Sequence, residues 1–255
     1  MREILLGLSV WALAATVWAG EGPIGRWMLR GDSGQEVKEE VSSRKAWLGE
    51  SPNADDQDPQ WSGGFLVFDG KNDCVTVGSG DDFILTTAGT ISAWVRPDEK
   101  HDKESAILIR PSNWYFVLSK DFRVSFLYYL LEPFSGERIT TAVYSERAVR
   151  PGAWTHVAVT FSEHWAEFYI NGMLDASRMF EEEILVARER PVRIGCEAKD
   201  ARAFTGTIQG VSIYDRALKA EEIANEMQAT APMQGLGQRG GEERKEGRDQ
   251  SGIVW

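Results

Sequence analysis

Three kinds of side chain in this 255-residue sequence could do chemistry: carboxylates, histidines and aromatic rings. Hydrolysis of a sugar bond needs two carboxyls about 5–9 Å apart, one as acid and one as base or nucleophile. The densest acidic run, Glu181-Glu182-Glu183, reads as a solvated charged loop, and Glu163 and Glu167 flank a turn and face water. A nucleophilic triad needs a histidine placed between a serine and an acid. His101 and His164 sit in charged turn segments, whereas His156 lies inside a strand pattern and reads as a packed, hydrogen-bonded core residue. No His or Cys pair has zinc-ligand spacing, and there is neither a phosphate-binding loop nor a dinucleotide fingerprint.

Binding chemistry is better represented than bond-breaking chemistry. The flat face of an aromatic ring covers the C–H side of a sugar. Trp114-Tyr115 and Tyr128-Tyr129 are the candidates for such a platform, and packing beneath loops is the competing reading. Trp47, Trp61 and Trp165 also fall in loops or at strand edges. Asp69 and Asp73 sit at a turn signal and read as turn formers. Cys74 and Cys196 form an even pair that can bridge in an oxidising compartment. Two separate buried thiols remain the alternative.

Composition narrows the partners. Lys and Arg number 28 against 39 Asp and Glu, a net charge of −11. Such a surface repels phosphate backbones and anionic membranes. Residues 1–19 read as a signal peptide: a weak positive start at Arg2, an apolar run from Ile4 to Trp18, and small residues at Val17 and Ala19 for cleavage. The run is shorter than the ~20 residues of a spanning helix. The expected destination is outside the cell, in the periplasm or on the cell surface.

The elements that must position these groups are strands. Thr90-Ile91-Ser92-Ala93-Trp94-Val95-Arg96 alternates and stops at Pro97. Trp154 to Phe161 puts Val157, Val159 and Phe161 on one side. Asn171-Gly172 is a strong hairpin signal. Residues 31–62 read as polar and loop-like, and the Arg30-Gly31-Asp32 triplet opens a turn cluster. A single helix is expected over Lys219–Met227, packing on an end of the molecule, and the Gly-rich, charged residues 230–255 read as a disordered tail. The fold class is therefore all-β, a two-sheet antiparallel β-sandwich of jelly-roll type over residues 20–229 with one short C-terminal helix.

Six segments in order resemble a known family, the laminin-G-like jelly rolls of the concanavalin A-like lectin and glucanase superfamily. They are Gly25-Arg26-Trp27 with Gly31-Asp32-Ser33-Gly34; Phe68-Asp69-Gly70-Lys71-Asn72-Asp73-Cys74-Val75; Thr90 to Pro97; Trp154 to Thr160; Tyr169-Ile170-Asn171-Gly172; and Ile213 to Leu218 with Glu221-Glu222-Ile223. The resemblance spans residues 24–228 and implies the sandwich fold. The Glu-x-Asp-x-x-Glu string of the laminarinase-type enzymes of that superfamily is absent. In related jelly rolls an Asp in the last strand often helps to hold structural calcium. Here Gln209 stands in its place, a poorer ligand for a hard cation; for a calcium site of that kind the resemblance leaves Asp69 and Asp73 as candidate oxygen ligands, against their plainer reading as turn formers.

These observations favour an exported, non-catalytic recognition module for carbohydrate or a protein surface. The alternatives are a structural envelope or adhesion component with no small ligand, and a glycoside hydrolase-like enzyme with an atypical site.

Overall fold

The computed structural model describes residues 22–78, 83–131, 134–180, 184–185, 190–198 and 201–232; the expected signal segment and most of the expected tail lie outside them. Along the chain come β1 (Gly25–Trp27), β2 (Glu36–Lys38), β3 (Lys45–Leu48), β4 (Gln60–Ser62), β5 (Phe65–Asp69), β6 (Val75–Val77), β7 (Ala88–Pro97) and β8 (Ser105–Arg110). They are followed by β9 (Trp114–Leu118), β10 (Arg123–Leu131), β11 (Arg138–Ala148), β12 (Thr155–Ser162), β13 (Trp165–Ile170), β14 (Met173–Met179), β15 (Val192–Ile194), β16 (Thr205–Tyr214) and α1 (Ala220–Ala229).

The strands make two antiparallel sheets. The first runs β14-β13-β12-β7-β16-β5-β4, with β1 also paired to β16. The second runs β11-β10-β9-β8-β15-β6-β3-β2. Alternation explains which residues meet between them. In β7, Ile91, Ala93 and Val95 enter the central core, so Thr90, Ser92, Trp94 and Arg96 point outward. In β12, Val157, Val159 and Phe161 do the same. Phe161 stacks on Phe126 at 5.1 Å and on Phe180 at 5.0 Å, which joins the sheets across the core. Asn171 and Gly172 take φ of +51° and +73°, as a two-residue hairpin between β13 and β14 requires.

Two expectations need correction. Residues 31–62 are not a plain loop: they hold β2, β3 and β4. These strands are only three or four residues long, and their outward positions are polar for the most part: Glu36 and Lys38 in β2, Lys45 in β3, Gln60 and Ser62 in β4. The helix does not sit on an end of the sandwich. Leu218 and Ile223 pack on Ala158, Tyr169 and Tyr214, on the outer face of the first sheet. The small Ala158 between two tyrosine rings makes the bed for Ile223. The helix start is fixed by Lys219 N–H donating to Glu222 Oε2 at 2.9 Å, and Arg216 holds the same carboxylate.

Candidate functional site

The structure separates the four aromatic residues that the sequence puts forward as a platform. Trp114 and Tyr128 are fully buried in the core between the sheets. Trp114 Nε1 donates to Phe83 O at 3.2 Å, and Tyr128 lies 4.6 Å from the Phe180 ring. Side chains with no exposed face cannot stack on a sugar, so these two belong to the fold. Their chain neighbours Tyr115 and Tyr129 point the other way, as alternation demands. They meet edge to face at 5.8 Å on the outer face of the second sheet. Tyr115 is only 3 % exposed. The Arg202 guanidinium lies 5.2 Å above its ring, and its hydroxyl donates to Glu197 Oε1 at 2.9 Å. Burial, with the hydroxyl bond to Tyr129 next, pushes the Tyr115 phenol well above its ordinary range. Arg138 lies 4.6 Å over the Tyr129 ring.

The other candidates serve the backbone. Asp73 Oδ2 accepts from Asp69 N at 2.6 Å, and Asp69 accepts from Lys71 N at 2.8 Å and from Lys71 Nζ at 3.0 Å. Burial pushes the Asp73 carboxyl up to about 6. Among the described residues no group of three His, Cys, Asp or Glu side chains converges as a metal site. Gln209 is buried, and in the amide orientation that suits both groups its Oε1 accepts from Arg30 Nε at 2.6 Å and Nη2 at 3.2 Å. A side-chain cation thus faces this position. Cys74 and Cys196 form a disulfide with Cα atoms 5.3 Å apart, joining the ends of the paired strands β6 and β15.

His156 is buried but not hydrogen-bonded through its ring. Its backbone N–H donates to Asn171 Oδ1 at 3.0 Å, while Nδ1 and Nε2 have no partner among the described residues. Burial holds its pKa down at about 3. His101 is anchored through Nε2 to Ser119 O at 2.7 Å. Neither imidazole can act on a substrate from these positions.

A cleft with room for a ligand lies elsewhere. A cleft of about 220 Å³ opens where the β1–β2 turn meets β2 and β4. Trp61 of β4 forms one wall, and Arg30, Glu36, Lys38 and Glu40 supply charged groups. Trp61 is half-buried against the core, and its Nε1 donates to Gly34 O at 2.9 Å. Gly31 lets the backbone lie flat against the ring: a Cβ there would come within 3.2 Å of it. The turn begins at Leu29, a buried non-glycine residue at φ +50°. Such a conformation costs about 1–3 kcal/mol and persists where surrounding packing fixes it. Glu39 is buried and accepts from Arg26 N at 3.1 Å and Ser42 N at 2.7 Å. It anchors the end of β2 and leaves the exposed Glu36, Lys38 and Glu40 to the cleft. Charges of both signs are balanced, two against two.

Sequence reasoning placed Trp61 among the rim tryptophans but did not single it out. The available signal was an isolated ring, Gln60-Trp61-Ser62, in an otherwise polar stretch.

The family model of the concanavalin A-like lectin/glucanases superfamily named Laminin_G_3 matches residues 69–224. The chain belongs to this family. Solved structures agree on the fold at low sequence identity. Domain 4 of AbnA, an extracellular GH43 arabinanase from Geobacillus stearothermophilus in complex with arabinotriose, is 14 % identical with a TM-score of 0.57. The match covers 80 % of this chain and 97 % of that domain. The binding domain of Paraclostridial Mosquitocidal Protein 1 is 16 % identical with a TM-score of 0.60, covering 81 % of this chain and 52 % of that one. The ligand-binding domain of botulinum neurotoxin serotype D in complex with N-acetylneuraminic acid is 13 % identical with a TM-score of 0.56, covering 81 % and 50 %. This Laminin_G_3 chain therefore spans about half the length of the two toxin domains. No curated protein matches it by sequence. No helix among its described residues is long and apolar enough to cross a membrane.

Proposed function

We propose that the chain is an exported, non-catalytic carbohydrate-recognition module that takes one sugar ring in the Trp61 cleft. The observation that carries this reading is the cleft itself, an aromatic wall facing hydrogen-bonding groups of both signs. Its volume lies below the several hundred Å³ of drug-sized sites, which suits a single ring better than an oligosaccharide. Balanced charge suits a neutral sugar. The exposed carboxylates Glu36 and Glu40 are four residues apart on an extended chain, about 13 Å. That is too far for the paired carboxyls of a glycosidase. The names of the similar structures, two of them with bound sugar, support recognition of glycans. The Cys74–Cys196 bridge supports an oxidising, extracellular destination, as does the signal-like character of residues 1–19.

A glycan array probed with the intact protein and with Trp61→Ala tests the reading. The intact protein should bind a terminal-sugar class that the variant binds about 2- to 12-fold more weakly or worse, because aromatic packing supplies about 0.5–1.5 kcal/mol beyond area burial. A flat array, or a variant that binds equally well, would reject the cleft. A second reading sets the sugar on Tyr129, whose ring face already carries the planar Arg138 group. Tyr129→Ala on the same array separates the two.

A further inference from the structure

The cleft is tied to the C-terminal helix. Arg30, one of its lining residues, donates through Nη2 to Ala231 O at 2.6 Å, just beyond α1. Arg26, four residues earlier, pairs with Glu226 in α1, and Tyr214 donates to the same carboxylate at 2.5 Å. Trp94 Nε1 donates to Met227 O at 3.2 Å. The helix rests on a small apolar cluster of its own, separate from the central core. It contributes no strand to either sheet. Segments with few apolar contacts open locally more readily than the core.

We propose that α1 is a latch for the Trp61 cleft: docked, its end holds Arg30 Nη2 at one side of the cleft, and undocked, it leaves Arg30 loosened on Gln209 alone and lowers affinity for the ligand. The proposal rests on reading that cleft as the binding site. Helix and cleft are then coupled through one side chain, and by linkage a ligand that contacts Arg30 in turn holds the helix down.

The layer under α1 makes the latch sensitive to acid. His156 sits between Trp94, with ring centroids 5.4 Å apart, and the hairpin at Gly172, which packs on Ala224 and Met227 of the helix. Its ring nitrogens, Ser92 Oγ and Glu226 Oε1 are buried without hydrogen-bond partners among the described residues. The charged and titratable groups around this layer are engaged elsewhere. Glu226 of α1 holds Arg26 of β1 and Tyr214 of β16. Tyr169 of β13 donates to Glu167 at 2.8 Å. Arg96 of β7 turns to Thr207 at 3.2 Å and to the Trp154 ring. Glu222 of α1 pairs with Arg216 and accepts from Lys219 N. Among the described residues no carboxylate hydrogen-bonds the imidazole, and burial depresses its pKa to about 3. A proton therefore binds His156 much better once the helix has lifted. With an ordinary pKa near 6.5 in the open state, the opening constant should rise about 25-fold between pH 7 and pH 5.

Peptide-resolved hydrogen exchange over residues 220–231, with phenylglyoxal labelling of Arg30 read by mass spectrometry, tests the latch on the full chain without any sugar. Helix amides should lose protection about 25-fold from pH 7 to pH 5 while β7 and β16 amides keep theirs, and Arg30 labelling should rise in step. Ile223→Ala should open the helix and raise Arg30 labelling already at pH 7. His156→Leu should remove the pH dependence. Helix and core amides exchanging together, or Arg30 labelling indifferent to Ile223→Ala, would overturn the proposal. Because both readouts need no glycan, a working latch beside a flat array would condemn the sugar reading alone.

Discussion

Asp175 in β14 accepts Nε of Arg147 in β11 at 2.5 Å, and so joins the first sheet to the edge of the second. The same carboxylate takes the backbone N–H of Glu146 at 2.6 Å and of Arg147 at 3.2 Å. Its side chain is 1 % exposed, while that of Arg147 is 52 % exposed. The bonds therefore satisfy edge amides of β11 that would otherwise invite another strand. Burial works to raise the Asp175 carboxyl, but the Arg147 side chain and the two backbone donors outweigh it and hold it below the ordinary value. A depressed carboxyl adds stability above the unfolded pKa and loses it as pH falls through the folded one. We expect Asp175→Ala to cost about 2 kcal/mol at pH 7, since charged hydrogen bonds are worth roughly 1.5–3 kcal/mol. Urea midpoints for the two proteins check this; an unchanged midpoint would mean that the edge closes without the carboxylate.

Trp114→Ala should behave as a core deletion. Losing a fully buried indole typically costs about 3–5 kcal/mol, enough to unfold a marginal domain. Trp61→Ala, which removes a half-buried ring at the rim, should lower the melting temperature much less while altering ligand binding. Thermal melts of the two variants side by side decide it, and equal losses would show that Trp61 is packing rather than a recognition surface.

Between pH 7 and pH 5 two buried groups oppose each other. His156, held down at about 3, forces the folded state to forgo a proton that the unfolded chain binds below about 6.5. Stability should fall by about 2 kcal/mol over this interval from that residue. Asp73, pushed up to about 6, binds a proton in the folded state before the unfolded chain does. It should return about 1 kcal/mol over the same interval. The native profile should therefore be shallow. Asp73→Asn should steepen the loss towards pH 5, and His156→Leu should reverse the slope. Denaturant titrations at the two pH values measure each slope, and parallel slopes for all three proteins would refute the assignment.

The Cys74–Cys196 bridge spans a sequence separation of 122 residues. In the chain-entropy model such a closure stabilises by about 4–5 kcal/mol. Unreduced, denatured protein should show no free thiol by titration, and Cys74→Ser with Cys196→Ser should lower stability by about that amount. Two titratable thiols in the unreduced protein would exclude the bridge.

The strands with long alternating runs were legible in the sequence. β7, β12 and the Asn171-Gly172 hairpin lie where their patterns put them, because each buries one full face in a single core. The β2–β4 region was not, because its strands are only three or four residues long and β3 is held by a distant partner, Ala46 opposite Val77. Local sequence carries no record of such pairings. The aromatic pairs failed for a related reason. Adjacent residues on a strand must face opposite sides, so Trp114-Tyr115 and Tyr128-Tyr129 could never present four rings together. The outer face holding Tyr115 is covered by the segment after β15, where Arg202 O accepts from Ala106 N at 2.8 Å and the Arg202 side chain lies over the ring. Trp61 became a cleft wall only once the β1–β2 turn, thirty residues earlier, folded against it.

The pairing of β1 with β16 has an architectural consequence. Ile24 N–H donates to Ile213 O at 2.8 Å, and Arg30 reaches Ala231. The polypeptide thus enters and leaves the sandwich on one side, separated by little more than a three-residue strand and the turn after it. A unit with neighbouring entry and exit points can be spliced into a loop of a larger protein without prising that loop apart. The same Arg26–Glu226 contact that seats the helix would then act as the clasp at the graft junction.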